Sequence, residues 1–185
     1  MTDDCDDLTK NSYQVYERIA ETSSGQVYRL SKSEVKQVLQ YVKVALQPNV
    51  VNLLSQHKPA PVKNKPDEHE VMVDETLKQF TISVSGKNAS VHVMDPKGKN
   101  VDGPPQLEPL LTLDNVKIVN VKEPDPGPWK VMINSDSDYT VRSTGLSGVR
   151  FNHGFSTVET KNLMETNHRP LQGKKETSKS NMVAA

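Results

Sequence analysis

VKIVNVKEPDPGPWKVMINSDSDYTVRSTGLSGVRFNHGF, residues 116–155, alternates apolar and polar side chains in short runs separated by turn residues. Ile118, Asn120 and Lys122 alternate with Val119 and Val121; after the breaker EPDPGP, Trp129, Val131 and Ile133 alternate with Lys130, Met132 and Asn134. Tyr139, Val141 and Ser143 share a third face, and Val149 and Phe151 a fourth. Successive side chains on a strand point to opposite faces, so a period of two broken by regular turns marks half-buried antiparallel strands. Trp129 is the only tryptophan. Placed mid-run among branched residues, it reads as a core anchor in preference to a sugar-stacking platform.

The pattern extends upstream. In TLKQFTISVSG, residues 76–86, Phe80, Ile82 and Val84 alternate with Thr81, Ser83 and Ser85; Gly86-Lys87-Asn88 makes a turn, and Val91 and Val93 return inward. Asp95-Pro96-Lys97-Gly98 predicts a tight turn, with proline presetting the second position and glycine tolerated at the fourth. Residues 101–109 carry Pro104, Pro105 and Pro109 and are expected to be irregular. About six to eight strands are expected between Val71 and Phe155, forming an antiparallel β-sandwich of the jelly-roll or immunoglobulin-like kind.

The N-terminal third reads differently. SYQVYERIAETS, residues 12–23, puts Val15, Tyr16, Ile19 and Ala20 on one helical face, and Gly25 suits a cap or turn after it. QVYRL, residues 26–30, is short and β-prone. Ser31 and Glu34 fit a capping box, followed by Val35, Val38, Leu39, Val42 and Leu46 at helical spacing, with Pro48 as the stop. Helix, strand, helix is incomplete as a fold, since about 50 residues bury too little surface alone. VVNLLS, residues 50–55, reads as a short strand. The expected division is 1–56 as an α/β remnant, 57–69 as a proline-rich, charged linker, 70–156 as the sandwich, and 157–185 as a polar, disordered tail.

Composition narrows the function classes. Among 185 residues, lysine plus arginine equals aspartate plus glutamate, for a formal net charge of zero. Balanced charge argues against a nucleic-acid or anionic-lipid partner, which would need a basic excess. No apolar run approaches the roughly 20 residues of a membrane helix. MTDDCDDLTK lacks the basic end and apolar run of a secretory signal, so by itself the chain would be expected in the cytosol. Cys5 is the only cysteine, which excludes an intramolecular disulfide.

The sequence contains no phosphate loop, GxGxxG, HExxH or zinc-spaced Cys/His cluster, and its five histidines are scattered. No nucleophile–base constellation can be assembled, and the chain reads as non-enzymatic. Asp3, Asp4, Asp6 and Asp7 lack the glycine and terminal glutamate of a calcium-binding EF-hand loop. Asp136 and Asp138 are weak candidates for calcium at a sandwich loop; a solvated hairpin turn is the plainer reading. Asn88-Ala89-Ser90 matches the N-glycosylation sequon at a predicted hairpin turn, where a glycan would point into solvent.

Two longer stretches are more specific. DCDDLTKNSYQVYERIAETSSGQVYRLSKSEVKQVL, residues 4–39, resembles the end of the von Willebrand factor A-like domain of the hemicentins, long extracellular-matrix proteins. VNVKEPDPGPWKVMINSDSDYTVRSTGLSGVRFNHGFS, residues 119–156, is similar to the segment that follows in the same family, notably in NVKEP, the G-x-W turn at Gly127–Trp129, and TGLS. The resemblance runs collinearly from Asp4 to Gly173. It implies the last helix, strand and helix of a von Willebrand A-like domain followed by a galactose-binding-like sandwich. It also implies secretion to the extracellular matrix, and matrix or cell-surface proteins, with glycans in addition, as partners. The family's A-type domain holds a divalent cation with a DxSxS loop, which is absent here, so that metal site carries over to no residue. A carbohydrate-binding module with a calcium-dependent loop around Asp136 and Asp138 is the alternative function.

Overall fold

The computed structural model describes residues 11–23, 25–28, 30–46, 49–62, 65–167, 169, 172–173 and 177–184. Among the described residues, two helices, α1 (Asn11–Thr22) and α2 (Val35–Ala45), precede ten strands: β1 (Val50–Lys58), β2 (Asp67–Val73), β3 (Leu77–Ser85), β4 (Ser90–Met94), β5 (Leu107–Thr112), β6 (Val116–Lys122), β7 (Gly127–Asn134), β8 (Tyr139–Ser147), β9 (Val149–Ser156) and β10 (Thr177–Ala184). The chain divides into two compact units, Met1–Leu146 and Ser147–Ala185.

The first unit is an antiparallel β-sandwich, as the alternating pattern requires. One sheet has five strands in the order β1-β8-β3-β6-β5, and the other has three in the order β2-β7-β4. Strand β7 shows the alternation most plainly, with Trp129, Val131 and Ile133 fully buried between exposed Lys130 and half-buried Met132 and Asn134. These side chains meet Phe80, Ile82, Val84, Val121 and Val141 from the facing sheet in one continuous core. Trp129 is the anchor it was read to be: its ring meets Phe80 edge-on at 5.4 Å, and its Nε1–H donates to the Asp125 carbonyl at 2.8 Å. The buried indole therefore leaves no polar atom unpaired.

Strand β3 is buried on both faces from Phe80 to Ser85. Its inner residues join the core. Its outer face, Thr81, Ser83 and Ser85, lies under the N-terminal segment, where the Tyr28 hydroxyl is 3.2 Å from Ser83 Oγ and Gln26 Nε2 donates to the Ser83 carbonyl at 3.1 Å. A second apolar cluster forms on this outer face from Leu111, Leu113, Val116 and Ile118, closed by Val38 of α2 with Tyr28, Leu30 and Tyr41. Burial lifts the Tyr41 phenol to about 12 and raises that of Tyr28 as well.

Several sequence expectations hold in detail. The turn at Asp95–Gly98 closes with Gly98 N–H donating to the Asp95 carbonyl at 2.9 Å, while Asp95 Oδ1 accepts from the amides of Lys97 and Lys99. After α1, the Gly25 amide donates to the Ala20 carbonyl at 2.7 Å. The Glu34 carboxylate reaches back to the Ser31 amide at 2.7 Å as a capping box demands, but the Ser31 hydroxyl donates to that same carboxylate instead of capping the backbone. Pro48 and Cys5 lie outside the described residues.

Other expectations are corrected. Gln26–Tyr28 and Leu30 form no strand; Gln26 and Tyr28 lie across the sheet face instead, bonded to Ser83 of β3 and Thr140 of β8. The linker expected over 57–69 has strand at both ends, because β1 runs on to Lys58 in register with Tyr139 of β8 and β2 begins at Asp67 opposite Ile133. The proline-rich 101–109 stretch gives way to β5 at Leu107, which includes Pro109 beside a register shift. Proline is tolerated there because β5 is an edge strand.

In the second unit, β9 and β10 pair antiparallel from Ser156↔Thr177 to Val149↔Ala184. The tail expected to be disordered over 157–185 thus contains a strand, whose ordering comes from backbone pairing that the polar sequence TSKSNMVA does not announce. A 3-10 turn at Leu163–Glu165 and a reciprocal pair of backbone bonds between Phe155 and Asn167, each 2.8 Å, lie within the connection.

Candidate functional site

The sequence-predicted site residues collect at one end of the sandwich, where the β3–β4 and β7–β8 turns abut. Asn88 adopts a left-handed conformation with φ of 51°, and its exposed side chain donates from Nδ2 to Asp136 Oδ2 at 2.7 Å. The Asp136 amide donates to the Lys87 carbonyl at 2.9 Å, and the Ser135 hydroxyl donates to the same carbonyl at 3.1 Å. The Lys87 amide donates back to Ser137 Oγ at 3.1 Å. The two turns are therefore sewn together by reciprocal bonds.

The fit is close at Gly86. A Cβ added there would lie 2.6 Å from Ser135 Oγ and 2.7 Å from Tyr139 Cβ, so only glycine lets the turns meet. Asp138 is exposed and takes a different partner, accepting at Oδ1 from the Ala60 amide at 3.2 Å. The two aspartates serve separate loops. Among the described residues, no group of three or more His, Cys, Asp or Glu side chains is arranged to hold a metal ion. Asp3, Asp4, Asp6 and Asp7 lie outside the described residues.

Beneath this end lies a polar network that residue patterns did not reveal. Tyr139 of the five-stranded sheet donates its hydroxyl proton to Asp67 Oδ2 at 2.8 Å, and its oxygen lies 2.7 Å from His69 Nε2. With the phenolic proton committed to Asp67, His69 Nε2–H must be the donor to Tyr139. His69 and Tyr139 also meet edge-to-face, with ring centroids 5.9 Å apart. The two sheets are thus pinned by a hydrogen-bonded bridge at one margin of an otherwise apolar core. Burial holds the His69 imidazole below its ordinary value, opposed by the Asp67 carboxylate and assisted by Lys58. Burial and the Asp67 carboxylate both push the Tyr139 phenol upward. Tyr139 lies some seventy positions from Asp67 and His69 in sequence, so no local spacing links it to them.

The G-x-W turn has its own geometry. Gly127 holds φ at 133°, and a Cβ there would come within 2.9 Å of Pro96 Cβ. The turn of β4 packs directly on the entry to β7, fixing where Trp129 enters the core. Lys97 and Asp125 close the same junction with an exposed ion pair at 2.8 Å.

Residues 50–148, which span β1 to β8, match the family model described as the hemicentin galactose-binding domain-like domain. This chain belongs to the hemicentin family. Human Hemicentin-1 is 41% identical over 174 residues, covering 94% of this chain, and mouse Hemicentin-2 is 38% identical over 176 residues. The chain spans about 3% of the length of these curated relatives. The hemicentin match begins at the first residue of β1, which accords with the pairing of β1 into the sandwich sheet. Among solved structures, the propeptide form of the Bacillus licheniformis lipase BlEst2 overlaps 70% of this chain and 31% of its own, with a TM-score of 0.38 and 15% identity. That likeness is too loose to bear on fold or activity.

Proposed function

We propose that this chain acts as a non-enzymatic structural module of a secreted extracellular-matrix protein, contributing to matrix–matrix or cell–matrix association. The observation that carries this reading is the hemicentin match across the whole sandwich, together with about 40% identity over nearly all of the chain. The architecture supports it. The loops at the Asn88–Asp136 end are tied to one another, which suits a rigid spacer better than a mobile catalytic rim. No helix among the described residues is long and apolar enough to cross a membrane. On the resemblance of residues 4–39, the helices before β1 are taken as the end of a von Willebrand A-like domain that hands the chain to the sandwich. Asn88 is taken as a glycan acceptor.

The reading is tested by expressing the chain behind a heterologous signal peptide in matrix-producing cells, then measuring its share in medium, lysate and decellularised matrix. Retention in the matrix, lost when the sandwich is unfolded by Trp129→Asp, is the expected result. Free recovery in the medium with no matrix-bound fraction would sink the adhesive role.

A further inference from the structure

The outward face of the three-stranded sheet carries a cluster that neither the core nor the loop junction uses. Val91 and Val93 of β4 turn into the core, so His92 and Met94 face outward; on β7 the burial of Val131 and Ile133 turns Met132 outward in the same way. In the register of the sheet His92 lies opposite Met132, and Met94 lies opposite Lys130. Directly opposed Cβ atoms on one face are about 5 Å apart and diagonal ones roughly 7–8 Å, so one imidazole and two thioethers share a single patch. The methionine side chain is unbranched with three rotatable bonds, which lets both sulfurs turn toward a common point beside the ring. His92 is exposed and both methionines are half-buried. The His92 ring enters no hydrogen bond or ion pair among the described residues.

The surrounding charges narrow what fits. Glu68 of β2 lies opposite Met132 from the other side, and Glu70 lies opposite Lys130. Lys130 Nζ is paired with the Glu68 carboxylate at 2.7 Å. Two carboxylates against one ammonium leave this face with one negative charge in excess, which favours a cation over an anion. Hard ions such as calcium take six or more oxygen ligands, and the carboxylate beside Met132 is already held by Lys130. Thioethers select copper(I), and imidazole suits copper as well. We propose that His92, Met94 and Met132 form a surface site for one soft monovalent cation of the copper(I) class. The site uses no residue of the Asn88–Asp136 turns, calcium chelation does not touch it, and it stands whether or not the matrix role does.

The test is a titration of the full chain carrying Cys5→Ser, which removes the one thiol that would compete for a soft ion. The probes are silver(I) nitrate in chloride-free buffer and copper(I) under anaerobic conditions, followed through the methionine ¹³C-methyl and histidine ring resonances. Saturation at one ion per chain is expected, with the Met94 and Met132 methyls and the His92 ring moving together. Met72, 62% exposed on the same face but opposite Pro128, is expected to stay in place. His92→Ala and Met132→Leu should each weaken binding by about tenfold or more, since even the outer partners of a metal ligand are worth roughly 10–100-fold. Met132→Leu conserves volume and keeps the sheet face packed, and Met72→Leu should change nothing. Zinc(II) should leave both methyls where they were. Absence of shifts with both soft ions, equal shifts at Met72 and Met164, an affinity that survives both substitutions, or the same response to zinc(II) would overturn the assignment.

Discussion

His69 shows how one side chain can set a pH limit on the fold. Its imidazole donates to Tyr139 while burial holds its pKa below that of an exposed histidine. A folded-state value below the unfolded one means that protons bind the unfolded chain more readily. The stabilisation is therefore complete above about pH 6.5, the ordinary histidine value, and is lost as pH falls through the lower folded value. Melting temperatures measured between pH 8 and 5 should drop more steeply for the native chain than for His69→Gln, which does not titrate; parallel curves would exclude this origin. At Asn88, attachment of a sugar to Nδ2 leaves one N–H, so the bond to Asp136 can persist in a glycosylated form. Chain secreted from mammalian cells should shift in mass on deglycosylation, and Asn88→Gln should abolish the shift. Gly86 tests the turn junction. Gly86→Ala should cost about 1–3 kcal/mol in chemical denaturation, because its Cβ collides with Ser135 and Tyr139.

At the scale of elements, α2 divides a stripe that the sequence presents as one. Val35, Val38, Leu39, Val42 and Leu46 fall on a broad arc, but only the part centred on Val38 reaches the sheet. Val38 is 5% exposed, while Leu39 is 59% and Leu46 77% exposed. Each residue advances a helix by about 100°, so neighbours on the arc separate into inward and outward positions once one of them docks. Val38→Ala should destabilise by about 1.5–2 kcal/mol through two lost methyl equivalents. Leu39→Ala should stay within about 0.5 kcal/mol. Equal costs at the two positions would mean that α2 docks on another face. Helix α1 shows the same outward bias, with Val15, Tyr16 and Ile19 exposed. Its amides should exchange faster than those of β3 and β7, which lie inside both sheets.

For the sandwich as a whole, the central question raised by its acidic loop is metal dependence. Asp136 and Asp138 bond to Asn88 and to the Ala60 amide respectively, and these bonds already give each carboxylate a role in loop closure. Chelation should leave the melting temperature where it was. A rise on adding calcium that disappears in Asp136→Ala would instead assign a metal to that loop. The core itself is the larger determinant of stability: Trp129→Ala, which empties the centre of the three-stranded sheet's inner face, should cost about 3–5 kcal/mol. A loss that large consumes much of the stability typical of a small domain.

The alternation in residues 116–155 made the sandwich legible, because a period of two can bury one face of a sheet in only one way. Trp129 as anchor, the Asp95–Gly98 turn and the Glu34 cap were equally readable, since each depends on residues within a few positions of one another. What depended on distant pairing was not. β10 carries too few apolar residues to mark it as a strand, and its order comes from the backbone of β9. β1 was legible as a short strand over residues 50–55, but its place in the sandwich sheet came only from its pairing with β8. Gln26–Tyr28 had the composition of a strand but met a sheet face instead of a sheet edge. The Asp67–Tyr139–His69 bridge and the Asn88–Asp136 bond join residues brought close only by the crossing of chain segments. Local chemistry decides which elements form; the approach of elements far apart in sequence decides which polar atoms find partners.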